Sequence, residues 1–181
     1  MQTFLIPLGE LDNKRLGKQR VEAKQIHMAL TGESRAWRNH PATIMWEGHE
    51  SALATYGRKV CETWIDRGYD DSLTEWFADR ERATENHAPP WWMTDSKVRH
   101  ALLLSHTSNL LRKDFDYYRA LGANFAAPGE TLTTQLPYLW PRRDGSLYLS
   151  VAESKRITKE TRQAIEEFGW NYDANTRVVL V

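Results

Sequence analysis

The sequence predicts a mainly α-helical fold that ends in a small C-terminal α/β extension. Apolar residues recur at intervals of three and four over most of the first 120 residues, which is the period of an amphipathic helix. After Gly122 this period fades, and residues 147–151 alternate in the manner of a strand. We therefore expect a helical domain over residues 1–141 and an α/β extension over residues 142–181.

Two long helices are predicted in the first part of the chain. The first begins after an N-cap at Asp12, runs to Leu30 and is closed by Thr31 and Gly32. The second begins near His40 and Pro41 and runs to about Gly68, with proline in its first turn. Its apolar face is the clearest in the sequence and consists of Trp46, His49, Leu53, Tyr56, Val60 and Trp64.

Further along the chain, two more helices are expected on either side of a loop. A short helix covers about residues 73–82, and a longer one runs from a cap at Asp95 to about Tyr118. Residues 86–93 between them are predicted to form a loop, because successive prolines remove donors and disfavour helix before them.

The extension has its own sequence of elements. Asp144-Gly145 predicts a turn before the strand at residues 147–151. Residues 153–168 predict a helix, and residues 177–181 predict a further strand.

Composition limits the possible functions. With 181 residues of which 41% are hydrophobic, the chain can bury a substantial core. It carries 24 basic and 24 acidic residues, so non-specific binding of nucleic acid through bulk charge is disfavoured. Any contact with DNA must come from local segregation of charge, and the first thirty residues supply such a basic segment.

The sequence also predicts a compartment. Cys61 is the only cysteine, which excludes an intramolecular disulfide and a cysteine-rich zinc site and is compatible with a reducing environment. The first apolar run is too short for a signal peptide, and no stretch approaches the length of a membrane span. We therefore expect a cytoplasmic protein without a membrane partner, and no obligate protein partner is evident.

The most informative segment is DNKRLGKQRVEAKQIH, residues 12–27, where a single carboxylate, Glu22, lies among cations. At helical spacing one face carries Arg15, Lys18, Gln19, Glu22 and Gln25. Such a face could bind phosphates while its carboxylate stays ionised for proton transfer. The alternative is a solvated helix face with internal ion pairs, which is the commoner situation for mixed charge.

Two tryptophans in the predicted loop have two interpretations. Trp91 and Trp92 lie in a proline-bounded loop, whereas Trp46 and Trp64 lie on a helix face and are expected in the core. Exposed tryptophan stacks well on displaced bases, so the pair is a candidate DNA contact. The alternative is a hydrophobic latch that anchors the loop to the body.

The histidines offer little support for a metal site. His100 and His106 are six residues apart, whereas two ligands on one helix face need a spacing of three or four. His40 before Pro41 is predicted to be a helix cap or a phosphate contact. His106 belongs to a polar stretch that reaches Arg112 and Lys113, and this stretch either faces DNA or satisfies its own hydrogen bonds in the core.

These features together resemble the pyrimidine-dimer DNA glycosylase family, whose type member is a phage endonuclease V. The resemblance is carried by RLGKQRVE, WRNHPATIMW, SNLLRKD and LPYLWP, which occur in the expected order. It covers roughly residues 1–141 and is greatest for an actinobacterial and phage branch. It implies an endonuclease V-like helical body and a bifunctional enzyme that acts on double-stranded DNA with a damaged or modified base.

The resemblance implies a mechanism and site residues. An amine attacks the sugar carbon of the damaged nucleotide, the base leaves, and the resulting imine permits cleavage of the strand. Glu22 falls at the position of the family's catalytic glutamate, and the chain's N-terminal amine is the nucleophile. The phosphate contacts implied by the basic character around Glu22 are Arg15, Lys18, Arg20 and Lys24. No metal or organic cofactor is implied.

The start of the chain departs from the family pattern. Residue 2 is Gln where the type member has Thr, so Met1 is expected to be retained and its amine is the candidate nucleophile. An α-amine, with a pKa of about 8 against about 10.4 for lysine, is neutral to a far greater extent at pH 7. The additional residue displaces that amine by up to about 3.5 Å. Either the Met1 amine is repositioned to act, or this branch uses another nucleophile, or it no longer cleaves DNA.

Three classes of function therefore stay open at the sequence level. The first is a DNA glycosylase with abasic-site lyase activity, directed at pyrimidine dimers or at another modified base. The second is a non-catalytic DNA-binding or regulatory protein on the same scaffold, a possibility that Gln2 favours. The third, a metal-dependent nuclease, requires histidine ligands that converge from separate helices.

Overall fold

The computed structural model describes residues 4–83, 88–125 and 134–181. They form two compact units, one made of residues 7–90 and the other of residues 91–181 together with residues 4–6. The predicted fold class is confirmed, because the described residues are mostly helical and carry a small antiparallel sheet near the C-terminus. Within these ranges, no helix combines the length and the apolar character needed to cross a membrane.

Helix α1 spans Asn13–Leu30, as the sequence predicts. The Asp12 carboxylate accepts the backbone N–H of Arg15 at 3.0 Å and caps the first turn. The helix ends at Thr31, and Gly32 follows with a φ of 81°, a left-handed conformation that glycine adopts without strain. Leu16, Ala23 and Ile26 of the predicted apolar face are buried.

The predicted helix from His40 to Gly68 is divided in two. Helix α2 spans Pro41–Ile44 and helix α3 spans Glu50–Asp66. Gly48 lies between them with a φ of 78°, which a right-handed helix cannot contain. The prediction of one continuous helix is therefore wrong, although Trp46 in the intervening turn is fully buried, as its place in the apolar pattern implied.

Helix α4 spans Thr74–Arg82, close to the predicted bounds. It packs against α3, and α3 packs against α1. Gly57 of α3 lies so close to α4 that a Cβ atom there would overlap the buried ring of Phe77. The N-terminal unit is therefore a helical layer in which α3 lies between α1 and α4.

The second unit begins with three helices. They are α5, Trp91–Thr94; α6, Ser96–Lys113; and α7, Phe115–Phe125. Asp95 caps α6 by accepting the N–H of Val98 at 3.0 Å, as predicted. The helix is interrupted at Asp114, so the prediction of one continuous helix to about Tyr118 is wrong. Of the predicted loop at 86–93, residues 86 and 87 lie outside the described residues, and residues 91–93 are helical.

The sheet has four short antiparallel strands in the order β1-β2-β4-β3. They are β1, Trp140–Pro141; β2, Leu147–Tyr148; β3, Asn171–Asp173; and β4, Val178–Leu180. The predicted turn at Asp144-Gly145 joins β1 to β2, with Gly145 at a φ of 84°. The predicted helix at 153–168 is divided into α8, Val151–Ser154, and α9, Lys159–Glu167. The predicted domain boundary after residue 141 stays a prediction.

Candidate functional site

The cations of α1 lie on two sides of the helix. With about 3.6 residues per turn, Arg15 and Lys18 share a side with Glu22, whereas Arg20 and Lys24 lie nearly opposite. The sequence segment that looks uniformly basic therefore presents two separate surfaces. Only one of them carries the candidate acid/base.

The side that carries Glu22 is partly open to solvent. Lys18 and Gln25 are exposed, and Glu22 and Arg15 are half-buried. The Arg15 guanidinium lies 3.0 Å from the Asp12 carboxylate, so part of its charge is already neutralised within the chain. Lys18 is therefore the more available of the two predicted phosphate contacts on this side.

Arg20 is directed into the helical unit. Its guanidinium forms a salt bridge with Asp71 and lies 4.6 Å from the centre of the Trp64 ring. The Asp71 side chain is 0% exposed. Burial by itself would raise the pKa of Asp71, but hydrogen bonds from Leu73 and Thr74, joined by the one from Arg20, hold that pKa below its usual value.

Asp71 also influences the single cysteine. Cys61 is buried beside it, and burial, followed by the Asp71 charge, raises the pKa of the thiol to about 12. The thiol is therefore protonated at neutral pH and is no candidate nucleophile.

Lys24 lies against another aromatic ring. Its Nζ is 5.1 Å from the centre of the Trp76 ring, and the Arg80 guanidinium lies 3.6 Å from the same ring. Arg80 also pairs with Glu33 at 3.3 Å. Lys24 and Arg20 thus link α1 to α3 and α4, and a phosphate contact through either stays a prediction.

His40 is the N-cap of α2, as predicted. Its Nδ1 accepts the backbone N–H of Ala42 at 3.1 Å, so this nitrogen carries no proton in the structure. Burial lowers the pKa of His40, and the Glu22 carboxylate opposes that shift. His40 is therefore a neutral ring within electrostatic reach of Glu22, and a contact with phosphate stays a prediction.

An exposed tryptophan lies next to His40. Trp37 is 37% exposed, and the centre of its ring is 4.7 Å from that of the His40 ring at a tilt of 46°. The backbone at Trp37 has a φ of 67°, a conformation that bulky residues rarely adopt. The sequence analysis did not select this residue.

Arg67 fixes the segment that precedes α1. Its guanidinium donates to the carbonyl oxygens of Leu8, Gly9 and Leu11 at 3.2, 2.8 and 2.6 Å. It also donates to Oδ1 of Asn13 at 2.9 Å. One side chain at the end of α3 thus determines the path of the chain just before the candidate site.

The two tryptophans of α5 differ from each other. Trp92 is 1% exposed and belongs to the core of the second unit, which supports the latch interpretation for this residue. Trp91 is half-buried. A DNA contact through Trp91 or Trp92 stays a prediction, and Trp91 offers more surface for it.

The polar stretch of α6 is buried. Ser105 donates to the Pro137 carbonyl oxygen at 2.6 Å and accepts the N–H of Leu139 at 2.9 Å. His106 is 1% exposed, and its Nε2 lies 3.2 Å from the Leu139 carbonyl oxygen. These groups bind the extended segment 136–139 to the helix. The structure therefore favours the interpretation in which the polar side chains of α6 form hydrogen bonds within the core. A DNA contact through His106 stays a prediction, and the buried ring presents no surface for it.

The last turn of α6 is solvent-facing. Arg112 and Lys113 are both exposed, and the Lys113 Nζ lies 5.9 Å from the centre of the Tyr138 ring. Cations at this end of a helix are also favoured by the helix dipole. Their predicted contact with DNA is sterically possible and stays a prediction.

Two further predictions concern groups that the structure describes only in part. Met1 lies outside the described residues, so its amine cannot be placed. Within the described ranges, no three His, Cys, Asp or Glu side chains converge as a metal site would need.

The N-terminal residues match a known family model. Residues 1–75 match the model described as pyrimidine dimer DNA glycosylase. The match runs from Met1 to the start of α4 and contains Glu22, His40 and the four predicted cations of α1, but not Trp91, Trp92 or the residues of α6. The match supports the resemblance seen in the sequence, and with it the function of a DNA glycosylase. Comparisons with curated proteins and with solved structures found no match.

Sequence analysis missed three residues that shape this unit: Trp37, Arg67 and Asp71. Asp71 could have been predicted, because an aspartate before a helix commonly accepts the backbone N–H groups two and three residues further on, which here are those of Leu73 and Thr74. Trp37 could have been noticed as an aromatic between two arginines in SRAWRNHP. Nothing in the sequence signals the role of Arg67, since its main-chain acceptors are 56–59 residues away.

Proposed function

We propose that this protein is a DNA glycosylase with associated abasic-site lyase activity, acting on a pyrimidine dimer or another modified base in double-stranded DNA. The observation that carries the proposal is the match of residues 1–75 to the pyrimidine dimer DNA glycosylase family model. Support comes from Glu22, a half-buried carboxylate on a helix side that also presents the exposed Lys18. The protein is proposed to work in the cytoplasm.

The proposed reaction divides excision into two steps. The Met1 amine forms a bond to C1′ of the damaged nucleotide, and the bond from C1′ to the base breaks, with the electron pair leaving on the base. Opening of the sugar then gives an imine between the amine and C1′, and O4′ takes up a proton. Loss of a proton from C2′ permits elimination, which breaks the bond between C3′ and its phosphate oxygen.

Glu22 is assigned the proton transfers in this scheme. A carboxyl group can donate the proton that O4′ receives and later accept the proton from C2′, provided it lies within hydrogen-bond reach of both. Lys18 and Arg15 on the same side are assigned to phosphates that flank the lesion. They position the strand and carry no information on which base is excised.

The first test is borohydride trapping followed by mass mapping of the crosslinked peptide. The substrates are duplexes that contain either a cis-syn thymine dimer or an abasic site. An adduct at Met1 on the dimer duplex supports the proposal as stated, and an adduct at a lysine keeps the reaction but moves the nucleophile. Binding of both duplexes without an adduct would favour the non-catalytic DNA-binding alternative.

The assignment of Glu22 is tested by the Glu22→Gln variant. We expect strand cleavage of the dimer duplex to fall by about 10²- to 10⁴-fold, the usual contribution of acid–base catalysis, while DNA binding persists. Glu10→Gln is the matched control, since Glu10 is an exposed carboxylate just before α1. Equal activity of the two variants would remove Glu22 from the mechanism.

A further inference from the structure

Trp37 combines exposure with a backbone conformation that is unfavourable for a bulky residue. It lies in the segment between α1 and α2 and has a φ of 67°. The residue is 37% exposed, although burial of so large an apolar group would be favourable. Unusual backbone geometry of this kind is found most often where a side chain must be presented to a ligand.

The position of Trp37 is fixed relative to His40. The backbone N–H of His40 donates to the Trp37 carbonyl oxygen at 2.9 Å and closes a turn. The two rings are 4.7 Å apart, and His40 in turn lies within electrostatic reach of Glu22. Trp37 is therefore held against His40, in the same compact unit as Glu22.

The His40 ring contacts the Trp37 ring but does not stack on it in parallel. The two rings are tilted by 46°. Tyr69, an aromatic of similar exposure in this unit, is different, because it lies on Trp64 at 4.0 Å and only 16° from parallel. Trp37 thus keeps the geometry needed to accept a flat partner.

The charges around Trp37 identify the kind of partner. Arg35 and Arg38, on either side of it in the sequence, are both exposed. An aromatic ring flanked by arginines suits a nucleotide, whose base stacks on the ring while its phosphates pair with the guanidinium groups.

We propose that Trp37 is a stacking platform for a nucleobase displaced from the duplex by the unit that carries Glu22, with Arg35 and Arg38 on the adjacent phosphates. The inference rests on the proposed function, since displacement of a base is how such an enzyme gains access to the sugar carbon. It assigns recognition of the opened duplex to the segment 35–38.

The test compares binding by variants in the Glu22→Gln background, where turnover is suppressed. The probes are a duplex with a central cis-syn thymine dimer and the same duplex undamaged, measured by fluorescence anisotropy. Trp37→Ala should lower the affinity for the dimer duplex by about 5- to 150-fold, the range expected for one base–aromatic stack, and leave the undamaged duplex nearly unaffected. Trp37→Phe should retain most of the preference, because a flat ring remains.

Tyr69→Ala is the matched control, since it also removes an exposed ring that contacts another ring. It should leave the preference for the dimer unchanged. A second readout uses 2-aminopurine placed opposite the dimer. Its fluorescence is already quenched by stacking in the duplex, so it should stay low on binding by the parent protein and by Trp37→Phe, and rise on binding by Trp37→Ala, where the displaced base has no ring to stack on.

The outcomes separate the inference from the proposed function. If the Glu22→Gln protein does not prefer the dimer duplex, the proposed function fails for this lesion and the inference fails with it. If the preference exists and Trp37→Ala keeps it, or loses affinity equally for both duplexes, the proposed function survives and the stacking platform is overturned. Circular dichroism of each variant confirms that it is folded.

Discussion

Arg20 and Lys18 are separated by one residue in α1 but have different environments. Arg20 pairs with a carboxylate that is 0% exposed, and its guanidinium lies over the Trp64 ring. Lys18 is exposed on the side of α1 that carries Glu22. Removal of a cation from a desolvated partner leaves a buried charge uncompensated and destabilises the fold, whereas an exposed cation keeps its charge for a phosphate.

We predict opposite effects for two matched variants. Arg20→Gln leaves Asp71 buried without its cation and should lower the free energy of unfolding by about 3 kcal/mol, the lower end for a broken buried pair. Lys18→Gln should not change stability, but it should weaken DNA binding and reduce the slope of log affinity against log salt by about one. Urea unfolding and binding titrations over a salt series measure both. Loss of salt dependence in Arg20→Gln with stability intact would contradict this division.

His27 is expected to make stability depend on pH. The ring is buried in α1, edge-on to Trp76 at 5.3 Å, and burial, followed by the Arg80 charge, lowers its pKa. Because the unfolded chain then binds a proton more readily than the folded one, stability is complete above the unfolded pKa of about 6.5 and declines as the pH falls below it. His40, whose pKa is also lowered, acts in the same direction.

The prediction concerns the His27→Gln variant. The free energy of unfolding of the parent protein should fall between about pH 7 and about pH 5, and His27→Gln should reduce that fall. His100→Gln, in the second unit, serves as the control and should retain the parent's slope. An unchanged slope in His27→Gln would show that other groups cause the acid sensitivity.

At the scale of elements, the buried polar stretch of α6 replaces a strand as the partner of an extended segment. Ser105, Ser108 and Asn109 bind backbone groups of Leu136, Pro137 and Leu139. Backbone groups buried without partners are costly, so each of these side chains satisfies a group that the segment cannot pair by itself. The stretch therefore belongs to the architecture of the second unit.

We expect Ser105→Ala to destabilise the protein by about 1–3 kcal/mol, because it leaves the buried N–H of Leu139 without its acceptor. Ser154→Ala removes a hydroxyl that donates to the Val151 carbonyl oxygen in an exposed setting, so its effect should be within about 0.5 kcal/mol. Thermal and urea unfolding of the two variants provide the comparison. Equal stability would mean that another group replaces the serine.

The sequence predicts helices better than it predicts their interruptions. Asp12, Gly32 and Asp95 mark helix ends through capping chemistry that acts within a few residues, and these ends are confirmed. The breaks at Gly48 and Asp114 were missed, because the apolar pattern continues across them and Trp46 is buried from within a turn. Periodicity reports burial and does not by itself report an unbroken backbone.

The candidate site shows the same division between local and distant information. Helical spacing alone places Glu22 on the same side as Lys18. The partners of Arg20 and Lys24, which are Asp71, Trp64 and Trp76, are 44–52 residues away, so the sequence could not separate these cations from the others. The left-handed backbone at Trp37 is likewise a property of the folded chain.

For the whole molecule, the net charge of zero does not show that some cations are half-buried in ion pairs while others are exposed. Arginines 20, 58 and 80 are half-buried and form ion pairs with acids of the N-terminal unit. Lys18, Arg35 and Arg38 are exposed in the same unit. Any attraction of this unit to DNA is therefore expected to come from its exposed cations at short range, because the net charge of zero supplies little long-range field.

A chain that ends at residue 141 tests the predicted domain boundary. It would keep β1 but lose β2, its partner strand, together with β3 and β4. We expect a lower melting temperature and partial aggregation, measured by circular dichroism and size-exclusion chromatography. A chain that lacks only Val181, which is 37% exposed, should match the full chain. Equal stability of the 1–141 chain would establish the boundary.

Arg67 has a consequence for sequence variation. It holds Leu8 and Gly9 through their carbonyl oxygens, which every amino acid supplies. Mutations at these two positions therefore leave the anchoring hydrogen bonds in place, whereas a single change at Arg67 removes all of them. We therefore expect residues 8 and 9 to vary among related chains while the backbone before α1 keeps its conformation, as long as the arginine is retained.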